Sequence, residues 1–177
     1  EATELSGSTV IDLDDIVLGE VRVARAKGAN VQAALQPVQV NGVADHIRRV
    51  VRNLVDNAIR HADSAIRVSV YNNGHRAEVH VDNDGAPVPE SDRIRVFHRF
   101  VRLDQARDRD RGGSGLGLAI VRELVLRHGG SVEATEAEDG WCRFRVDLPA
   151  AVDPPSTNGA SAPRPASSRT IGNVGQS

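Results

Sequence analysis

Two asparagines, an arginine and a histidine share one side of a strongly amphipathic segment, in positions suited to a metal-bound phosphate. They occupy i, i+4, i+7 and i+8 of a predicted helix: Asn53, Asn57, Arg60 and His61. Asparagine is unfavourable in mid-helix because its side chain competes for backbone hydrogen bonds. The stripe could be an ordinary solvated face. It could also offer carboxamide oxygens to Mg²⁺, with Arg60 contacting phosphate oxygens and His61 lying against a base or ribose.

A glycine-rich segment is the second candidate for phosphate chemistry. Four glycines precede an apolar helix start: Gly112, Gly113, Gly115 and Gly117. Backbone N–H groups at a helix N-terminus bind phosphate, and glycines let it approach closely. The segment is not a P-loop, because no Gly-Lys-Ser/Thr follows. It fits a dinucleotide-binding turn poorly, because the charged run 107–111 precedes it in place of a strand. Flanked by glycines, that run is typical of a hinged lid.

The elements that must position these residues are predicted from hydrophobic periodicity. Helices are expected over 12–27, 45–62 and 116–128, the second on an apolar stripe of three- and four-residue spacing. Strands are expected at 37–40, 66–70, 77–81, 132–135 and 142–148, with hairpin turns at Asn73-Gly74 and Asp139-Gly140. A short helical stretch is expected to end at Phe100. This order indicates a two-layer α/β sandwich, with helices on one face of a mixed sheet.

Composition restricts the class of protein. The 177 residues carry a net charge of −2, which gives no electrostatic attraction to nucleic acid or anionic lipid. The single cysteine, Cys142, excludes an internal disulfide and fits a reducing compartment. No apolar run is long enough to cross a bilayer, and no signal peptide is visible. Residues 150–177 are rich in Pro, Ser and Gly and are expected to be disordered. Because the chain begins with Glu1, we expect it to be a piece of a longer protein.

Four sequence boxes, in order, resemble the catalytic ATP-binding domain of bacterial two-component sensor histidine kinases, a branch of the GHKL ATPases. Residues 52–62 are similar to the N box, and 83–89 lie where the first glycine box belongs. Residues 96–102 resemble the F box, and 113–118 match the second glycine box. The resemblance covers residues 12–149. It implies the Bergerat-type ATP-binding fold, ATP and Mg²⁺ as cofactors, and protein-histidine kinase activity.

The resemblance implies a role for each matched position. Asn57 would be the main Mg²⁺ ligand, with Asn53 in the same metal site. Arg60 would neutralise phosphate charge, and His61 would lie by the adenine. The other nucleotide-binding positions fall in the two glycine boxes: Asn83, Asp84, Gly85 and Pro87, then Gly113, Ser114, Gly115, Leu116, Gly117 and Leu118. The catalytic positions are Asn53, Arg60, Arg99 and Arg102.

Two residues depart from the family pattern, and a third indicates the reaction type. Asn83 replaces the aspartate that usually contacts the adenine amino group; its amide oxygen still accepts a hydrogen bond but carries no charge. Pro87 replaces a glycine. Asn53 stands where GHKL hydrolases typically carry a glutamate as general base, and an amide cannot take a proton at neutral pH. We therefore expect bound ATP to survive until an outside acceptor arrives, with catalysis resting on positioning and charge neutralisation.

The expected acceptor is absent from the chain. None of its six histidines lies in the family's His-Glu-Leu-Arg-Thr-Pro context. We expect transfer to a histidine on the helical-hairpin dimerisation domain of the same longer protein, with residues 1–11 as the remnant of its linker. A response regulator would be the next partner. The longer protein would be anchored in the bacterial plasma membrane with this domain in the cytoplasm, and this chain would be monomeric and would not phosphorylate itself.

Two alternatives stay open, as do the surroundings of several side chains. The chain could be an anti-sigma-type GHKL serine kinase, or a degenerate nucleotide-binding scaffold without transfer activity.

His75, at a hairpin turn, and His80, on a strand, are expected to face solvent. Phe97 and Phe100 are expected to pack, in the core, at the base of the lid or against the missing domain. His98 could touch the lid or the hairpin domain, or lie on the surface.

Overall fold

The computed structural model describes residues 7–101 and 115–151, which contain three α-helices and seven strands. The helices are α1 (Leu13–Ala26), α2 (Ala44–His61) and α3 (Gly117–Arg127). The strands are β1 (Thr9–Asp12), β2 (Val31–Leu35), β3 (Gln39–Gly42), β4 (Ile66–Asn72), β5 (Arg76–Asn83), β6 (Ser131–Glu136) and β7 (Cys142–Pro149). Two 3₁₀ turns, Glu90–Asp92 and Arg95–Phe97, lie between β5 and α3.

Five of the strands form one mixed sheet in the order β2-β4-β5-β7-β6. β2 is parallel to β4, with Val31 opposite Ile66, because the chain between them crosses over through α2. The other neighbours are antiparallel, and β4 and β5 are joined by the predicted turn at Asn73-Gly74. β1 and β3 pair separately as a two-stranded antiparallel sheet. The prediction of a mixed sheet is confirmed.

The core lies between the helices and one face of this sheet. The stripe predicted on α2 is buried almost throughout, as are the alternate residues of the central strands: Ile47, Val50, Val51, Leu54, Val55 and Ala58 on the helix, and Val68, Val70, Val79, Val81, Phe144 and Val146 on the sheet. Each buried side chain of this size stabilises the fold by about 1.5–3 kcal/mol relative to an exposed one. The predicted two-layer sandwich is therefore confirmed.

The opposite face of the sheet carries a network of charged and polar side chains. Asp82 is buried and accepts two hydrogen bonds of 2.7 Å from Arg143 and one of 3.3 Å from Arg67. On the same face, His80 lies 3.1 Å from Glu78 and leaves 13% of its side chain exposed. The expectation that His80 faces solvent is wrong, because the long side chains of neighbouring strands cover it. Burial lowers the pKa of His80 despite the nearby Glu78 carboxylate. His75 is exposed, as expected.

The structure differs from the predicted elements at three places. β1 and β2 were not predicted, and the strand expected at 37–40 begins instead at Gln39. The helical stretch expected to end at Phe100 consists of the two 3₁₀ turns, the second ending at Phe97. Within the described ranges, no helix is both long and apolar enough to cross a membrane.

Candidate functional site

The C-terminal half of α2 forms one wall of the candidate site. Its apolar stripe packs in the core, so the neighbouring polar stripe lies at the rim of the helix layer. Asn53, Asn57 and Arg60 are half-buried there, and His61 is exposed at the end of the helix. The Asn53 side chain donates a hydrogen bond of 3.3 Å from Nδ2 to the carbonyl oxygen of Gly117. This contact brings the polar stripe of α2 against the first residue of α3.

The N-terminus of α3 forms the second wall. Leu116, which precedes the helix, offers no capping side chain, and no acidic residue occupies the first turn. The first backbone N–H groups of a helix lack partners within the helix, so this end is suited to an anion. Gly115 has a φ of +67°, and a Cβ there would lie 3.0 Å from the Phe100 Cα. A glycine is therefore required at this position.

The end of β5 contributes a buried amide with unused hydrogen-bonding capacity. Asn83 is fully buried, and neither its Oδ1 nor its Nδ2 has a hydrogen-bond partner among the described residues. The carboxylates on either side are engaged elsewhere, that of Asp82 with arginines and that of Asp84 in a turn. An unpaired buried amide costs about 1–3 kcal/mol. A ligand that pairs with Asn83 would recover part of this cost.

Gly85 holds the end of β5 against the end of α2. A Cβ at Gly85 would lie 1.9 Å from the carbonyl oxygen of His61 and 2.9 Å from Nδ2 of Asn83. No other residue fits without moving the backbone. The first glycine box and the N box therefore meet at this contact.

Asp84 stabilises the turn between α2 and β4. Its carboxylate accepts hydrogen bonds of 2.9 Å from the backbone N–H groups of Asp63 and Ser64, and one of 2.5 Å from the Ser64 hydroxyl. Desolvation raises the pKa of Asp84, but the hydrogen bonds from Ser64 and Asp63 outweigh it and lower the pKa to about 2. Among the predicted site residues, Asp84 is thus committed to a structural turn. Ser64, its main partner, was not singled out in the sequence.

The F box divides between the core and the surface. Phe97 is buried and meets Phe144 edge-on, with ring centroids 6.0 Å apart, so its predicted packing is confirmed. Phe100 is 73% exposed and has a φ of +63°, so it does not pack in the core. Its backbone N–H donates a 2.9 Å hydrogen bond to the Gly115 carbonyl oxygen. His98 lies on the surface, and Nη2 of the exposed Arg99 is 3.4 Å from a carboxylate oxygen of Glu123.

An open depression of about 430 Å³ lies along α2, lined by Asp56, Ile59, Arg60 and Ala62. Of these residues, sequence reasoning had assigned a role only to Arg60. Pro87 is half-buried beyond Gly85, and Leu118 packs against the core. The predicted residues Arg102, Gly113 and Ser114 lie outside the described residues, as does the charged run 107–111. Within the described ranges, no group of three or more His, Cys, Asp or Glu side chains is arranged to hold a metal ion.

The described walls thus offer an unpaired amide at one end and an uncapped helix N-terminus beside two asparagines and an arginine. A base and a phosphate chain require these two kinds of partner, so fold and site together define a nucleotide-binding domain. Residues 42–152 match the family of histidine kinase-, DNA gyrase B- and HSP90-like ATPases, and the chain belongs to this family.

Individual relatives are named as sensor proteins. The chain is 42% identical over 103 residues to the sensor protein RstB of Escherichia coli (strain K12), covering 58% of this chain and 24% of RstB. It is 36% identical over 132 residues to the sensor protein VanS of Enterococcus faecium, covering 73% of this chain and 34% of VanS. The chain therefore spans about a quarter to a third of the length of these curated relatives.

A solved structure agrees with the sequence relatives. The mycobacterial sensor histidine kinase MprB superposes with a TM-score of 0.71 at 28% identity, covering 82% of this chain and 99% of that one. The resemblance to the ATP-binding domain of sensor histidine kinases, expected from the four boxes, is confirmed.

Proposed function

We propose that this chain binds Mg²⁺-ATP between α2, the end of β5 and the start of α3, and donates the γ-phosphoryl group to a histidine on a separate helical-hairpin domain of a longer sensor kinase. The observation that carries the proposal is the convergence of Asn53 and Gly117 at one contact and His61 and Gly85 at another. Through these contacts the N box meets both glycine boxes, which supports a single site lined by all three.

The residues present fit the two ends of a nucleotide. Asn83 would accept a hydrogen bond from the base amino group and donate one to a ring nitrogen, which pairs both of its unsatisfied atoms. The N–H groups at the start of α3 would bind phosphate oxygens, and Arg60 would add positive charge. Asn57 and Asn53 would contribute amide oxygens to Mg²⁺, which would balance phosphate charge when bound.

Transfer is favoured over hydrolysis by the chemistry of Asn53. Its Nδ2 donates one of its two protons to the Gly117 carbonyl, which leaves the second N–H and the amide oxygen for other contacts. An amide oxygen orients a ligand but does not deprotonate water at neutral pH. The chain's own residues would therefore hold the phosphates in place, without activating water, until an acceptor imidazole approaches. Arg99 and Arg102 are proposed to meet the charge that develops during transfer.

The proposed partners lie outside this chain. The acceptor would be the dimerisation and phosphoacceptor domain of the same longer protein, and the response regulator would receive the phosphoryl group from that domain. We place the longer protein in the bacterial plasma membrane, with this domain on the cytoplasmic side. The catalytic domain expected over residues 12–149 would extend to include β1 and Ala150, because β1 pairs with β3 and Ala150 pairs with Val40. The tail expected to follow lies outside the described residues from 152 on, and the chain alone would be a monomer without self-phosphorylation.

Calorimetric titration with a non-hydrolysable ATP analogue, with and without Mg²⁺, tests the binding site. We expect Mg²⁺-dependent binding to the wild type, and none to Asn57→Ala at unchanged fold. Asn41→Ala is the matched control, because it removes the same side chain from an exposed strand position. Normal binding by Asn57→Ala would overturn the assigned metal site, and equal affinity for a GTP analogue would overturn adenine selectivity.

A second experiment tests the transfer. The longer protein, carrying its helical hairpin, is incubated with γ-labelled ATP, and the label is followed for the acid lability of a phosphohistidine. We expect labelled histidine in the wild type and none in Asn57→Ala. Label on a serine would favour the anti-sigma-type alternative, and nucleotide binding without any label would favour the scaffold.

A further inference from the structure

His128 is a buried histidine at the end of α3 that the candidate site does not use. It is 7% exposed, and both of its ring nitrogens are engaged. Nδ1 lies 2.7 Å from the Leu124 carbonyl oxygen, and Nε2 lies 3.2 Å from the backbone nitrogen of Val43. A carbonyl oxygen only accepts, so Nδ1 must carry the proton, and Nε2 accepts from the Val43 N–H. The arrangement therefore requires the neutral, Nδ1-protonated tautomer.

The bond to Val43 joins opposite ends of two antiparallel helices. Val43 immediately precedes α2, and His128 immediately follows α3. At the other end of the pair, Asn53 donates to Gly117 at the start of α3. The ten residue steps from Val43 to Asn53 and the eleven from Gly117 to His128 span about 15 and about 16.5 Å at 1.5 Å per helical residue. The two bonds therefore lie at matching positions and hold both ends of α3 against the first half of α2.

Space for the His128 ring is made by a glycine. A Cβ on Gly42 would lie 2.6 Å from Cδ2 and 2.9 Å from Nε2 of His128. Gly42 has no left-handed backbone conformation, so the ring alone restricts this position. An alanine at residue 42 would thus displace the imidazole without straining its own backbone.

We propose that His128 is a positioning residue for nucleotide binding, because its bond to Val43 fixes where α3 lies along α2. Val121 and Val125 of α3 are buried in the core, and the hydrophobic contribution of such burial is non-directional, so the hydrogen bond adds a directional restraint on the axial position. The bond at one end of α3 therefore sets the place of Gly117, and of the anion-binding N–H groups, relative to Asn53 at the other. This inference rests on the proposed function.

Four variants separate positioning from stability. His128→Leu removes both hydrogen bonds, His128→Gln keeps an acceptor for the Val43 N–H, and Gly42→Ala displaces the ring. Val70→Ala destabilises the core at a fully buried position of β4, on the sheet and away from the α2–α3 contact. Affinity for the Mg²⁺-bound ATP analogue is measured by calorimetry, and the melting temperature of each variant is recorded beside it.

We expect His128→Leu and Gly42→Ala to bind the analogue about tenfold more weakly, the equivalent of one lost hydrogen bond. His128→Gln should stay within about threefold of the wild type, and Val70→Ala should lose thermal stability without losing affinity. Equal weakening in His128→Gln and His128→Leu, or in Val70→Ala and His128→Leu, would overturn the positioning role. So would unchanged affinity in His128→Leu.

Nitrogen NMR without nucleotide gives a readout that does not depend on the proposed function. The His128 ring should show the Nδ1-protonated tautomer, and the Asn53 side-chain amide should shift in His128→Leu and Gly42→Ala but not in Val70→Ala. An Nε2-protonated ring, or an unmoved Asn53 amide, would refute the inference even where nucleotide binds. If the wild type fails to bind nucleotide, the proposed function fails, and the Asn53 amide still decides whether His128 positions α3.

Discussion

At the scale of one residue, Asn83 shows how a side chain suited to binding a ligand can lower the stability of the fold without that ligand. Its amide is buried at the end of a central strand, yet the described protein offers it no partner. An apolar side chain of similar size would avoid that penalty. The unpaired amide is therefore best explained by a ligand that completes its hydrogen bonds.

This explanation predicts the behaviour of Asn83→Ala. We expect its preference for an ATP analogue over a GTP analogue to fall about tenfold, because the contact with the base edge is lost. Without nucleotide, its free energy of unfolding should change by less than about 1 kcal/mol, because removal of the unpaired amide offsets the small cavity. Calorimetry and urea unfolding measure the two quantities. A large loss of stability with unchanged base preference would show that Asn83 is purely structural.

Asp84 illustrates the opposite case: the hydrogen bonds within its turn outweigh the free-energy cost of desolvating its carboxylate. Its pKa is lowered from 3.8 to about 2, so the folded protein keeps it ionised at pH values where the unfolded chain binds a proton. The stabilisation is therefore complete above about pH 4 and is lost as the pH falls toward 2. We expect Asp84→Asn to lower the free energy of unfolding by about 1–2 kcal/mol at neutral pH, after allowance for solvent screening.

Urea unfolding at about pH 7, 5 and 3 measures this contribution of Asp84 directly. The difference between the wild type and Asp84→Asn should be constant between the first two values and should shrink at the third. Asp63→Asn, an exposed neighbour, is the control and should differ little from the wild type. A gap that widens as the pH falls would contradict the assigned hydrogen bonds.

At the scale of whole elements, the junction of α2 and β5 depends on one missing side chain. A Cβ at Gly85 would meet the His61 carbonyl at 1.9 Å, far inside contact distance. Because both partners are backbone, Gly85→Ala should cost at least about 2 kcal/mol of stability and should weaken nucleotide binding. Urea unfolding and calorimetry test this. Gly19→Ala is the matched control: nothing lies within 4 Å of a Cβ there, so α1 should gain up to about 1 kcal/mol.

Helices and strands were predictable from the sequence where their hydrophobic residues recur at one regular spacing. α2 was predicted to within one residue because its stripe repeats over eighteen residues. β2, with the sequence Val-Gln-Ala-Ala-Leu, was missed because its alternation is weak and it exists by pairing with β4, a contact 35 residues away in the chain. The partial burial of His80 was missed for the same reason, since the Tyr71 ring, 4.9 Å from it, belongs to another strand. The partners of Asp84 and the lack of partners at Asn83 also required the assembled turn and sheet.

At the scale of the whole molecule, the site joins segments from both halves of the chain, so ligand binding should stabilise the fold as a unit. Analogue at one hundred times its dissociation constant adds about 2.7 kcal/mol to the free energy of unfolding. For a domain of this size, the melting temperature should rise by about 5 °C or more. Differential scanning calorimetry should show this rise in the wild type and Asn41→Ala. A comparable rise in Asn57→Ala would mean that the ligand binds elsewhere.

The hydrogen bond between Phe100 and Gly115 has a consequence for how such a domain can diversify. It joins the backbone at Phe100 to the backbone at Gly115, so these two points of the chain are held together. Lengthening the chain between two fixed points costs only about 0.6 kcal/mol for each doubling. Insertions between Phe100 and Gly115 should therefore be tolerated, whereas a single added residue between Asn83 and Gly85 should not. We therefore expect related domains to vary in length between these two residues and to keep the length of the segment from Asn83 to Gly85.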